Sequence, residues 1–281
     1  MKIIEMVKEI DEALTFFSID EKGGFWKGNF VSLHLDLLKA AKKDNQLFRS
    51  ADLTAYIIRD ILKIGDIIHR LNWYREASIK QVLLETTWEY YAIIDIEYFH
   101  IKLRSIMDYI AEIVHNATNN PGQIPGHKDY YSFEELFNWI LNNPDQIESI
   151  GEDLARLVET SIWIHDLRAV RNSFVHSGGF TMAFKSPVDG ILFQVYKDYF
   201  DPFEFESISG DLLMFNPNSI YFERYAAIFL SYIFVFLDRL AILIYKKYQL
   251  KNNVKGTIWR SPGFSIIVDW MEQLKEVLEK S

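Results

Sequence analysis

Apolar residues recur at helical spacing along most of the chain, with charged residues filling the positions between them. Ile3 to Phe17 shows the pattern first, with Glu5, Lys8, Glu9 and Glu12 on the polar side. A 3.6-residue period of this kind predicts an amphipathic helix. Val31 to Lys43 and Leu53 to Leu71 repeat it, and a longer helix is expected from about Ile79 to about His115. Gly23, Gly24 and Gly28 break the first pattern, as glycines between periodic segments do. The stretch "NATNNPGQIPGHKDY", rich in Asn, Pro and Gly, reads as a loop.

Two capping signals follow that loop. Ser132-x-x-Glu135 and Ser149-x-x-Glu152 have the spacing of a capping box ahead of apolar runs, which predicts helix starts. The second start is expected to launch a helix through "RAVRNSFVHSGG", which Gly178-Gly179 ends. Phe180 to Ser186 and Ile191 to Lys197 read as a small hairpin around Pro187-Val188-Asp189-Gly190, since Asp-Gly favours a tight turn. Asn216-Pro217-Asn218-Ser219 is expected to start a long apolar helix ending near Tyr248, and a last helix to run from Gly263 to about Glu279. The sequence shows no internal repeat. These elements predict an all-α fold with long antiparallel helices and a small β-hairpin insertion.

Tyr225 to Tyr245 is long enough to cross a bilayer. Asp238 and Arg239 lie within it, and charges near a bilayer centre are expensive. A buried core helix or a dimer-interface helix is therefore expected in place of a membrane span. The chain opens with charged residues soon after Met1, so no signal peptide is expected and the cytoplasm is the default location.

Composition narrows the function classes. Apolar residues are 49% and charged residues 25% of the chain, which is a globular balance. There is no cysteine, so disulfides and thiolate metal sites are excluded. The net charge of −9 argues against wholesale nucleic-acid binding but permits a local basic cleft. The loop "GGFWKGNF" has Asn29 and Phe30 where a phosphate-binding loop needs Lys and Ser or Thr, so it is not one. His34, His69, His115 and His127 stand alone, no pair of them with metal-ligand spacing to acids, and no metal or other cofactor is expected.

The stretch "RAVRNSFVHSGG" carries the chemistry. On a helical wheel Leu167, Val170 and Phe174 share a face that should bury, while His165, Asn172 and His176 cluster on the other side. Arg168 flanks that cluster, and Arg171 lies between the two faces. Arginine binds phosphate oxygens through two parallel hydrogen bonds, and histidine exchanges a proton near neutral pH. A second polar stripe, Glu97, His100, Arg104 and Asp108, sits on the long helix before the motif. Its plainest reading is an ion-pair ladder around Arg104, which also allows His100 and Arg104 to touch a substrate.

Arg171-Asn172-x-x-x-His176 resembles the R-x4-6-H signature of the HEPN superfamily, with the polar residue that commonly follows the arginine. The resemblance extends over roughly Gln81 to Tyr248 and implies a HEPN-type helical bundle over residues 81–250, with an N-terminal helical region of unassigned role over 1–80 and a C-terminal helix over 251–281 packing on it. It also implies a metal-independent endoribonuclease, or else a non-catalytic RNA- or nucleotide-binding module. In the catalytic case Arg171, Asn172 and His176 act on RNA. Arg168, His165, Arg104 and His100 then line the substrate site. The family further implies a homodimer with the motif at a shared cleft, a role in host defence or a toxin system, and the possibility of an antitoxin partner.

Overall fold

The computed structural model describes residues 3–21, 23–41, 45–118, 132–176, 182–186, 190–196, 203–208, 210–251 and 259–280. Among the described residues the fold is mainly α, with 74% helix and 10% strand in small antiparallel sheets. It opens with α1 (Ile3–Leu14), the strands β1 (Phe17–Asp20) and β2 (Gly23–Trp26), and α2 (Asn29–Ala40). Two long helices follow, α3 (Asn45–Ile79) and α4 (Glu85–Asn116). Then come α5 (Phe133–Asn142), the single turn α6 (Ile147–Ile150), α7 (Glu152–Glu159) and α8 (Trp163–His176). The second half holds β3 (Ala183–Lys185), β4 (Ile191–Gln194), α9 (Gly210–Leu213), β5 (Met214–Asn216), β6 (Ser219–Tyr221) and α10 (Phe222–Lys247). It closes with β7 (Trp259–Ser261) and α11 (Pro262–Glu279).

The helix α10 is the axis of the core. It is long and apolar enough to cross a membrane, but 78% of its most apolar window is buried by the rest of the chain. Tyr225, Phe229, Ile233 and Leu237 are fully buried, each contributing on the order of 2 kcal/mol by removal from water. The helices α1, α2, α7 and α11 surround it. The two charges inside it find partners within the chain. Asp238 accepts hydrogen bonds from the Asn29 backbone N–H (2.6 Å) and side-chain amide (2.9 Å), at the first turn of α2. Arg239 pairs with Glu9 at 3.0 Å and Glu12 at 2.6 Å on α1. The fold is compatible with a soluble protein.

Several boundaries differ from the sequence expectation. The helix expected from Ile79 to His115 is the end of α3, a turn over residues 80–84, and α4. Apolar Val82 and Leu84 carried the periodicity across that turn, yet both are exposed. Ser132 stands at the N-cap of α5, without a side-chain capping hydrogen bond. Ser149 does not start a helix: α7 begins after Gly151. The motif helix is also separate from α7. Thr160 and Ser161 direct their hydroxyls to the Leu157 carbonyl, at 2.8 and 3.2 Å, and end that helix.

The strands exceed the single hairpin expected. The β3–β4 pair forms as predicted, but β6 and β5 extend it to a four-stranded sheet in the order β3-β4-β6-β5. Asn216 to Ser219 therefore joins β5 to β6, and α10 starts only at Phe222. The turn residues Pro187, Val188 and Asp189 lie outside the described residues. A second sheet, β1-β2-β7, joins the N-terminal hairpin to the entry of α11. Gly23 and Gly24, expected as a break, are paired strand residues there. A Cβ on Gly24 would come within 2.6 Å of the Phe264 Cβ, so the strand lies against α11 only because that side chain is missing.

Candidate functional site

The helix α8 buries the face that its sequence assigns to the core. Leu167, Val170 and Phe174 are all buried. The adjacent face, bearing Ile164, Arg168 and Arg171, opens onto a cavity of about 430 Å3. The helix α4 supplies His100, Arg104, Met107 and Asp108 to its wall, and Ser132, Phe133, Glu134 and Glu135 close it at the start of α5. The floor is apolar and the rim is charged with both signs.

The arginines differ in how they are neutralised. Arg168 forms an ion pair with Glu134. Arg104 pairs with Asp108, one turn on, at 3.5 Å. That is a single rung of the expected ladder; among the described residues Glu97 forms no ion pair with Arg104. Arg171 is half-buried and donates to the neutral Asn172 amide oxygen at 3.1 Å. Among the described residues it forms no ion pair. Burial, followed by the positive charges of Arg104 and Arg168, makes its charged form less favourable than usual, and Asp108 only partly offsets them. A guanidinium stays protonated in practice, so Arg171 keeps its positive charge at this wall of the cavity. The Asp108 carboxyl is pushed up from its usual range by burial and by Glu135, against the pull of Arg104 and Arg171.

Other predicted site residues are placed differently. His100 is buried, and both ring nitrogens are engaged. Its Nδ1 lies 2.8 Å from the Ile96 carbonyl and must donate to it. Its Nε2 then accepts from the Tyr225 hydroxyl at 3.1 Å. His100 is thus a fixed part of the back wall, with its ring 4.5 Å from that of Phe174, and is not a free ligand for substrate. His165 packs edge-on against Phe137 at 5.0 Å and does not line the cavity. Its half-buried ring serves the contact between α5 and α8. His176 is the last residue of α8, and its side chain lies outside the described residues, as does the Gly178-Gly179 stop. Residues five apart on an α-helix stand about 140° apart around its axis. Positions 171 and 176 therefore do not share one face of α8.

Sequence periodicity gives no sign of Asp166 or of the α5 acids. Asp166 is fully buried on α8. It accepts from the backbone N–H groups of Glu206 (2.6 Å) and Ser207 (2.9 Å) and from the Ser207 hydroxyl. This pins residues 203–208 against the motif helix. Glu135 was visible only as half of a capping box, and its place on the cavity rim depends on the packing of α5 against α4.

The buried His100 makes a pH prediction. Burial pulls its pKa down from 6.5 to about 4, and the hydrogen bond to Ile96 opposes this only partly. Between those values the unfolded chain binds the proton and the folded chain does not. Its contribution is therefore fully present above pH 6.5 and is lost as the pH falls toward 4. The expected loss is about 3 kcal/mol. Urea unfolding across that range should show the decline, and His100→Gln should flatten it. An unchanged slope in the variant would assign the pH dependence to other groups.

Among the described residues no group of three or more His, Asp or Glu side chains is placed to share a metal ion. Comparison with protein-family models, with curated proteins and with solved structures gives no match for this chain.

Proposed function

We propose that the chain is a metal-independent endoribonuclease of HEPN type, with the Arg171 cavity as its phosphate site. One observation carries this reading. Arg171 is half-buried beside two other arginines, and among the described residues its hydrogen-bond partner is a neutral amide. A guanidinium in that setting gains by binding a phosphate oxygen pair. Its place in an R-x4-H sequence adds the proton-transfer group that phosphate binding alone does not need.

The reaction uses the RNA's own nucleophile. The 2′-hydroxyl loses its proton and attacks the adjacent phosphorus, and the bond from phosphorus to the 5′-oxygen breaks. The products are a 2′,3′-cyclic phosphate and a 5′-hydroxyl. His176 takes the 2′-proton or supplies one to the leaving oxygen. Arg171 holds the phosphate and stabilises charge on its oxygens, with Asn172 fixing the guanidinium. Arg104 and Arg168 add positive potential to an acidic protein.

A second reading is binding without cleavage. The cavity has the volume of a small-molecule site and an apolar floor that suits a nucleobase. Incubation with end-labelled RNA in EDTA tests both. Fragments ending in cyclic phosphate are expected, and a 2′-deoxy substitution at the cut position should abolish them. Retention of RNA or nucleotide without fragments favours the binding module. If RNA is neither cut nor bound, both readings fail.

A further inference from the structure

The first turn of α5 carries a capping pair that is left open. Ser132 at the N-cap and Glu135 three residues on have capping-box spacing, which sets the two side chains next to each other. Ser132 makes no side-chain capping hydrogen bond. Among the described residues Glu135 forms no ion pair, whereas Glu134 is held by Arg168 and Asp108 by Arg104. Both members of the open pair line the Arg171 cavity. Besides its burial, the Asp108 carboxyl feels both Arg171 and Glu135, in opposite directions, so the three side chains lie near one another. The cavity thus holds a guanidinium and a carboxylate that form no ion pair among the described residues. Between them lies an apolar floor that includes Met107, Phe133 and Leu167.

A nucleotide has an anion at one end and a hydrogen-bonding base edge at the other. An ionised carboxylate only accepts, through two oxygens side by side. It therefore suits a base edge with two adjacent donors. Guanine presents N1–H and its N2 amino group together, with the O6 acceptor beside them. Adenine and cytosine each place a ring-nitrogen acceptor next to the amino group, and uracil sets N3–H between two carbonyl oxygens. Those acceptors would face a carboxylate oxygen. A serine hydroxyl beside the carboxylate supplies the donor that O6 needs.

We propose that the Arg171 cavity selects guanine, with Glu135 accepting from N1–H and the N2 amino group, Ser132 donating to O6, and the apolar floor holding the ring. The proposal rests on Arg171 being the phosphate site and narrows the substrate from any RNA to the guanosine beside the bound phosphate. Arg171 treats the phosphate of every nucleotide alike, so the choice of base falls to the α5 end of the cavity.

Equilibrium binding of the four nucleoside monophosphates, each as the 3′ and the 5′ isomer, tests this without relying on cleavage. In one isomer series the guanosine form is expected to bind about tenfold or more tighter than the other three, which is the discrimination of one two-point base contact. Inosine monophosphate keeps N1–H but lacks the N2 amino group, and should fall between. Glu135→Gln should weaken the guanosine form by about tenfold and strengthen the adenosine form, because an amide offers one donor and one acceptor, as adenine requires. Glu135 is exposed and Gln suits the same helix position, so the melting curve of this variant should match the wild type. Arg171→Ala should weaken all four bases alike. Equal affinity for the four bases in both series, or a guanine preference that survives Glu135→Gln, would overturn the proposal and leave the phosphate site standing. If no monophosphate binds, the phosphate site falls and the guanine proposal falls with it. Selective binding of the guanosine form by a protein that does not cut RNA would uphold guanine selection and reject the endoribonuclease.

Discussion

One added methyl group at Gly263 is expected to destabilise the whole fold. Gly263 lies in the first turn of α11, where that helix crosses α3 at Gly65. A Cβ there would fall onto the Gly65 carbonyl, with the Gly65 Cα only 2.8 Å away. The obstacle is helix backbone, so no side-chain rotation relieves it. The reverse change fares little better, because a Cβ on Gly65 would lie 2.9 Å from the Ser261 Cβ. Separating the helices would disturb the Ser261 cap of α11 and the burial of Phe264. Overpacking of this kind costs about 3 kcal/mol or more where relaxation is blocked. Gly263→Ala should therefore lower Tm by roughly 6–12 °C in a chain of this size. Gly210→Ala is the control, since its nearest neighbour would be the Met214 sulfur at an ordinary 3.6 Å. Equal melting temperatures for Gly263→Ala and wild type would show that the α3–α11 crossing is looser than described.

The parts of the fold legible in the sequence are those in which local pattern and burial coincide. Leu167, Val170 and Phe174 repeat at helical spacing and are buried together. The run from Tyr225 to Leu237 lacks a polar face, and α10 has none to present because helices pack around it. The short strands lacked such a signal. A strand of three or four residues gives little room for a period of two to show. Its partner can also be remote: Gly24 pairs with Ser261, across almost the whole chain. The site divides in the same way. Arg168 and Arg171 could be placed on α8 from spacing alone. Glu134 could not, because its ion pair with Arg168 depends on how α5 packs against α4 and α7. His100 looked like a surface ligand because it shares a stripe with Glu97 and Arg104. The structure gives that position to the core, where Tyr225 of α10 and Phe174 of α8 enclose the ring.

Arg171→Ala is expected to weaken RNA binding and cleavage together, whereas His176→Ala should abolish cleavage and leave binding near wild type. The difference follows from when each group acts. A guanidinium holds the phosphate in the bound state and gains as charge develops, so its loss affects both measurements. A proton-transfer group contributes mainly at the transition state, so its loss affects rate alone, by about 100-fold to 10,000-fold. Arg171→Lys should recover little, because an ammonium cannot present two parallel donors. Arg171 should also be removable without unfolding. Its hydrogen bond is to the neighbouring Asn172, and burial disfavours its charge, so Ala should change stability by no more than about 1 kcal/mol. Parallel melting curves would then separate lost chemistry from lost structure. If His176→Ala still cuts RNA at the wild-type rate, the proton-transfer assignment fails. If Arg171→Ala binds RNA as tightly as wild type, the cavity is not the phosphate site. The failure of one assignment would leave the other standing, because phosphate binding and proton transfer are tested by different measurements.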